Sequence, residues 1–251
     1  MMHFLAFIWN HYLYFGESRV ALPLAAWVAV CFAMAGQGWR VLRWSVAFAT
    51  GGALLLGLKA AFSYTGWSVP ALGLYSVSGH AMLTAAVYPV LLMLLGSTLG
   101  KYTAWLGAAL GVCIALIMPV VLVTELQHTV SEAFIGLGVG FVIAAVTLWR
   151  WQPVRLVHVG ATMAVLVPLA YLVDPRDAVE DFRAGLQARV AKWTGVSGEY
   201  VRSIDPDPAT GKRVVSVGYF MEDGTLLIMP GSPGTLDRYH MHNMHRGEGT
   251  G

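Results

Sequence analysis

The distribution of charge constrains this chain more than any motif does. Residues 1–173 contain only ten Asp, Glu, Lys and Arg, whereas the last 78 contain twenty. The charge-poor part is interrupted by few polar residues and reads as six apolar runs, at 20–36, 44–62, 80–96, 103–123, 128–148 and 154–173. A hydrocarbon core of about 30 Å is crossed by about 20 helical residues, so each run is long enough, or nearly so, to span it. The expected fold is an all-α membrane protein. It comprises an interfacial segment at 1–19, a six-transmembrane helix bundle at 20–173, and a small α+β extramembrane tail at 174–251. Composition agrees: 57% of residues are apolar and 12% charged, against about 45–50% and 25% in soluble domains. A net charge of +2 with scattered basic residues excludes a nucleic-acid partner and leaves the lipid bilayer as the expected environment. Cys31 and Cys113 lie inside apolar runs and read as small buried hydrophobes.

Two details bear on the span count and on orientation. Ala33-Met34-Ala35 has the form of a signal-peptidase site, and cleavage there would leave five spans. The segment before it is long and aromatic, with Phe4, Phe7, Trp9, Tyr12, Tyr14 and Phe15, which favours an amphipathic interfacial helix instead. Arg40, Arg43, Lys101, Arg150 and Arg155 fall on one side of the six-span arrangement, together with Trp39, Trp44, Trp105, Trp149 and Trp151. The positive-inside rule makes that side cytoplasmic and puts both termini outside, in the plasma or inner membrane of a bacterium.

The tail has its own pattern. Asp174-Pro175 stops the last span, and Asp177 with Glu180 opens an amphipathic helix carrying Val179, Phe182, Leu186, Val190 and Trp193. Beyond Gly195 and Gly198, β-rich runs at 200–204, 214–220 and 225–229 are separated by turn compositions, so a small meander is expected. The end of the chain, with its run Tyr239-His-Met-His-Asn-Met-His245, reads as mobile and at most a weak metal site.

Ionisable groups inside spans are costly and mark candidate functional positions. Lys59 ends the second run, His80 opens the third and His128 opens the fifth, so all three are expected at the same membrane face. Glu132 lies one helical turn after His128, on a stripe continued by Gly136, Gly140 and Ala144 that would let another helix approach closely. A carboxylate one turn from an imidazole fixes its tautomer and charge, the arrangement that activates a nucleophile. A second histidine can protonate a leaving group. Ser78-Gly79-His80 precedes a helix, so its amides and the helix dipole are available to phosphate oxygens.

This constellation resembles the type-2 phosphatidic acid phosphatase superfamily, whose membrane members remove or transfer lipid phosphate groups without a metal. The family's second motif, Pro-Ser-Gly-His, is matched by Val77-Ser78-Gly79-His80, and the end of its third, His-x-x-x-Asp, by His128-Thr-Val-Ser-Glu132. The resemblance covers about residues 50–145. It implies that His128 is the nucleophile, Glu132 its orienting carboxylate and His80 the general acid. It also implies that Lys59, Ser78 and Gly79 hold the phosphate, that no cofactor or metal is needed, and that the substrate is a membrane lipid phosphate or phospholipid. Tyr64, Trp67 and Tyr75 could cover the head group, or anchor at the interface. The motif arginines are absent: their positions fall on Gly66-Trp67 and Val121-Leu122. In that respect the chain looks closer to the branch that resembles sphingomyelin synthases, which transfers head groups.

Two other readings stand beside it. Glu125, His128 and Glu132, with His80 as a fourth ligand, could hold a metal, but the second Glu-x-x-His of a di-metal site is missing from the sequence. Alternatively, the protein is a catalytically degenerate membrane subunit that binds lipid, or that scaffolds a protein partner through residues 174–251. His158, near the basic end, reads as an interfacial or packed histidine, and Glu125 as solvated in a short external loop.

Overall fold

The computed structural model describes residues 12–153, 198–207, 210–221 and 225–228, with 181, 185, 189, 190 and 192. Five helices and one sheet order the described chain: α1 (Ser18–Met34), α2 (Gly38–Thr65), α3 (Gly79–Ser97), α4 (Lys101–Thr124), α5 (Val130–Leu148), then β1 (Glu199–Pro206), β2 (Arg213–Phe220) and β3 (Leu226–Ile228). The protein is therefore mainly helical with a small C-terminal three-stranded sheet.

Four helices, α2 to α5, are long and apolar enough to cross a membrane. The expectation of six spans is corrected to these four among the described residues. The first expected run forms α1, which has only 17 residues. It stops because Gly36 takes a left-handed conformation (φ +71°) and the Gln37 amide turns back to the Phe32 carbonyl, a glycine-based helix stop. The next helix begins at Gly38, so Arg40 and Arg43 occupy the first turns of α2 rather than a loop. The sixth expected run, 154–173, lies outside the described residues, as do most of the expected helix around 177–193, His158 and the run 239–245.

Helix α3 is the centre of the bundle: Ala81 through Leu91, Met93 and Leu94 are all buried. Its neighbours reach it through glycines. A Cβ on Gly107 or Gly111 of α4 would come within 2.2 Å of the Leu92 carbonyl oxygen or 2.5 Å of that of Tyr88. On α5, one at Gly136 or Gly140 would come within 2.4 Å of the Ser78 or Met82 carbonyl oxygen. Small residues bring backbones into van der Waals contact where a hydrophobic driving force between helices is weak. The expected small-residue stripe of α5 thus faces α3. Cys113 differs from expectation: only one stripe of α4 packs inward, and Cys113 lies off it, exposed, while Cys31 is buried.

The two ends of the bundle are chemically different. At one end the buried Arg40 donates to the carbonyls of Arg150 and Gln152 and lies over the Trp151 ring, satisfying backbone acceptors left by the end of α5. Arg43 donates to the Trp149 carbonyl there. Trp39, Trp105 and Trp149 are exposed, but Trp44 is buried and donates its indole N–H to the Ala25 carbonyl, 2.9 Å. The other end carries the turns 66–78 and 125–129 and receives the sheet. Of the N-terminal segment, Tyr12 is buried and donates to the Ile114 carbonyl at 2.6 Å, so the chain before α1 packs on the bundle at this point.

The sheet is an antiparallel meander in the order β1-β2-β3, with Arg202 opposite Val217 and Gly218 opposite Ile228. Its strands match the expected runs to within two residues at each end. Tyr200 and Arg202 alternate onto one face of β1, and that face meets the helices.

Candidate functional site

Four helix ends converge under β1. Helix α2 closes at Gly66, which adopts φ +69° and returns its amide to the Phe62 carbonyl. The following loop makes a bridge between Val69 and Leu74 and a single helical turn at Pro70–Leu72. Ser78 then caps α3, its side-chain oxygen accepting from the Ala81 amide. On the facing element, α4 ends with Leu126 in a left-handed conformation (φ +57°) and the Gln127 and His128 amides both donating to the Leu122 carbonyl. A leucine rarely adopts that geometry, and here it turns the chain so that His128 precedes α5. Thr129 caps α5 in a reciprocal capping box with Glu132.

Glu132 is the hub. It is fully buried and accepts from five donors. Oε1 takes the amides of Tyr75 (3.2 Å) and Ser76 (2.9 Å). Oε2 takes the Thr129 amide (3.2 Å) and Arg202 Nη2 (2.5 Å), and lies 2.9 Å from His128 Nδ1. Buried carboxylates are tolerated when so satisfied. Thr129 and Ser131 hydroxyls also donate to the Gly73 and Leu72 carbonyls, tying the 66–78 loop to the start of α5.

Arg202 was not singled out in the sequence. Its side chain is 11% exposed, its Nη2 lies 3.1 Å from His128 Nδ1, and both terminal nitrogens reach the Gln127 carbonyl at 3.4 Å. Tyr200, two residues earlier, lies over Gly66, where a Cβ would meet its ring at 2.9 Å. Burial is the largest influence on His128 and pushes its imidazole below the usual value; Arg202 and Lys59 act in the same sense, and Glu132 opposes them.

The expected residues gather at this end. His80, on the first turn of α3, is half-buried and within electrostatic reach of His128 and Lys59. The Gly16 backbone sits against it, since a Cβ there would come 2.8 Å from His80 Cβ. Lys59 is exposed on the last turns of α2 and acts electrostatically on both imidazoles. Gly79 follows the cap, with Leu55 of α2 as its side-chain neighbour. Ser78 is fully buried, its hydroxyl engaged in capping and its amide donating to the Glu132 carbonyl. Of the aromatics, Tyr64 is buried, Tyr75 packs edge-on against Phe62 and Trp67 is exposed. Glu125 is exposed at the end of α4, and the described residues contain no cluster of three or more metal-ligating side chains.

The sequence is 30% identical over 172 residues, 65% of this chain and 82% of the other, to a Klebsiella pneumoniae protein described as an uncharacterized 22.5 kDa protein in the cps region. The chain belongs to that protein's family. No family model matches the sequence, and no solved structure matches it.

Proposed function

We propose that the protein is an integral membrane lipid-phosphate phosphatase or lipid head-group phosphotransferase working through a phosphohistidine, with its site at the outer face of a bacterial membrane. The observation that carries this reading is the contact of His128 Nδ1 with the buried carboxylate of Glu132, 2.9 Å away, beside a second histidine and a lysine. With its Nδ1 proton directed at Glu132, His128 presents the Nε2 lone pair as nucleophile.

In the first step Nε2 attacks phosphorus, the bond to the lipid oxygen breaks, and His80 gives that oxygen its proton. In the second, water or an alcohol acceptor attacks the phosphohistidine, His80 takes the acceptor's proton, and the N–P bond breaks. Lys59 and the first-turn amides of α3 around Gly79 would hold the phosphate oxygens, while Ser78 keeps that turn in place through its cap.

A lipid substrate is supported by an apolar groove of about 810 Å³ between α2 and α5. It runs from Trp39, Arg43 and Val146 at the basic end to Leu54 and Ile135, one turn from Glu132. Fifteen residues of α2 between Trp39 and Leu54 correspond to about 22 Å at 1.5 Å per residue, enough for a long hydrocarbon chain beside the site.

Labelled lipid phosphates and phospholipids, with and without acceptor alcohols and in EDTA, test the reading on wild type and His128→Ala. Label moved by wild type alone is expected. Equal turnover by both proteins contradicts it.

A second reading, a non-catalytic subunit that presents its tail to a partner, is favoured by one observation: β1 seats on the site and engages Glu132. It predicts that deleting the tail, and not replacing His80 or His128, abolishes complex formation.

A further inference from the structure

We propose that Arg202 is a positioning residue for His128, so that the C-terminal sheet is part of the phosphoryl-transfer site: its guanidinium neutralises Glu132 and holds the imidazole as the Nδ1–H tautomer. This rests on the phosphohistidine reading and extends it to a residue outside the region of family resemblance. Three atoms make the argument. Glu132 Oε2, His128 Nδ1 and Arg202 Nη2 form a triangle with sides of 2.9, 2.5 and 3.1 Å.

A guanidinium can only donate. If Nη2 donated to Nδ1, the imidazole proton would sit on Nε2, and His128 would be an acid with no lone pair for phosphorus. The shortest side runs instead from Nη2 to the carboxylate, at 2.5 Å. Oε2 is then the shared acceptor, Nδ1 carries its proton towards it, and Nε2 is left with its lone pair. The remaining acceptor capacity of Glu132 is used by the amides of Tyr75, Ser76 and Thr129, which hold the carboxylate in this orientation.

The charge balance matters as much as the geometry. A buried carboxylate alone beside His128 would favour the imidazolium, which has no nucleophilic lone pair. Arg202 cancels that charge while leaving the oxygen free to orient the ring. The other charged or titratable groups that bear on the imidazole are Lys59 on α2 and His80 on α3, and Tyr75 in the loop bears on Glu132 and Arg202. Arg202 reaches the site only because β1 packs across the end of α2, with Tyr200 on Gly66.

The test is acylation of His128 by diethyl pyrocarbonate, which attacks unprotonated imidazole, followed by residue-resolved mass spectrometry across pH on the full chain in detergent. Arg202→Gln is expected to raise the midpoint of the His128 profile by about one pH unit. Adding Glu132→Gln to that variant is expected to return it to the wild-type value or below, and Arg202→Lys to lie between. A midpoint unmoved by Arg202→Gln overturns the proposal, as does a shift that Glu132→Gln fails to reverse, since unfolding rather than charge would then explain it. The acid limb of kcat/KM is expected to move with the acylation midpoint, and a uniform loss of turnover with neither moving also overturns it. If wild type turns over no lipid phosphate, the enzyme reading fails, while the acylation profiles still decide the role of Arg202.

Discussion

Arg202 Nη2 and Glu132 Oε2 meet at 2.5 Å across 70 positions of sequence, joining the charge-rich tail to the most buried carboxylate of the helical part. Helix α5, the 66–78 loop and the sheet are all anchored on that carboxylate, so its removal should be felt in folding as well as in chemistry.

Glu132→Ala is expected to destabilise the protein by about 3–5 kcal/mol, because it leaves the Arg202 guanidinium and two loop amides without their acceptor. Thermal unfolding in detergent checks this. Glu132→Gln, which retains an acceptor oxygen, should lose less stability yet still impair turnover, and a Glu132→Ala protein as stable as wild type would contradict the hub.

Turnover should follow the unprotonated state of His128. Burial, Arg202 and Lys59 hold its imidazole below the usual 6.5. The acid limb of kcat/KM is therefore expected below that value, with activity lost as pH falls through it and Nε2 takes up a proton. A limb above pH 7 would contradict the geometry, and EDTA should leave the profile unchanged.

Gly136→Leu or Gly140→Leu should push α5 away from α3, since even a Cβ would lie 2.4 Å from the Ser78 or Met82 carbonyl oxygen. Overpacking of this kind costs roughly 1–3 kcal/mol, and the displaced α3 would carry His80 away from His128. Gly138→Leu is the control for packing stability, because no neighbouring element lies within 4 Å of a Cβ there; as it lines the groove, only its melting temperature is compared. Melting temperatures of the three variants, and turnover of Gly136→Leu and Gly140→Leu against wild type, provide the comparison.

Filling the groove should discriminate substrates by their tails. Val142→Trp, on its exposed wall, is expected to raise KM for a long-chain lipid phosphate about tenfold, the equivalent of roughly 1.4 kcal/mol, and to leave a short-chain soluble phosphate ester unaffected. Equal effects on both would remove the groove from substrate binding.

Much of the architecture was legible because period and composition carry it. Helices α3, α4 and α5 lie within two residues of the expected runs, and the three strands follow from β-rich stretches between turn residues. Helix α1 also lies within two residues of its expected run, whereas α2 was misjudged at its start: it begins at Gly38 rather than at 44, because the turn at the left-handed Gly36 is too short for hydrophobicity to show. In the site, His128 and Glu132 were legible from their one-turn spacing, and their proximity to His80 and Lys59 from the expected alternation of helix directions. Arg202 was not, because nothing in a strand one residue out of an alternating pattern says which helix end it will cover. Ser78 was legible as the residue before a helix, but not its two bonds: its hydroxyl caps α3 and its amide donates to the Glu132 carbonyl, a partner that lies 54 positions away.

The most direct test of the account is to find the phosphoryl group on the protein. Wild-type protein mixed with a labelled lipid phosphate, quenched in alkali and digested, should carry acid-labile, alkali-stable phosphate on His128, and His128→Ala should carry none. Phosphate on another residue, or turnover with no phosphoprotein at any quench time and undiminished in His128→Ala, would contradict the account.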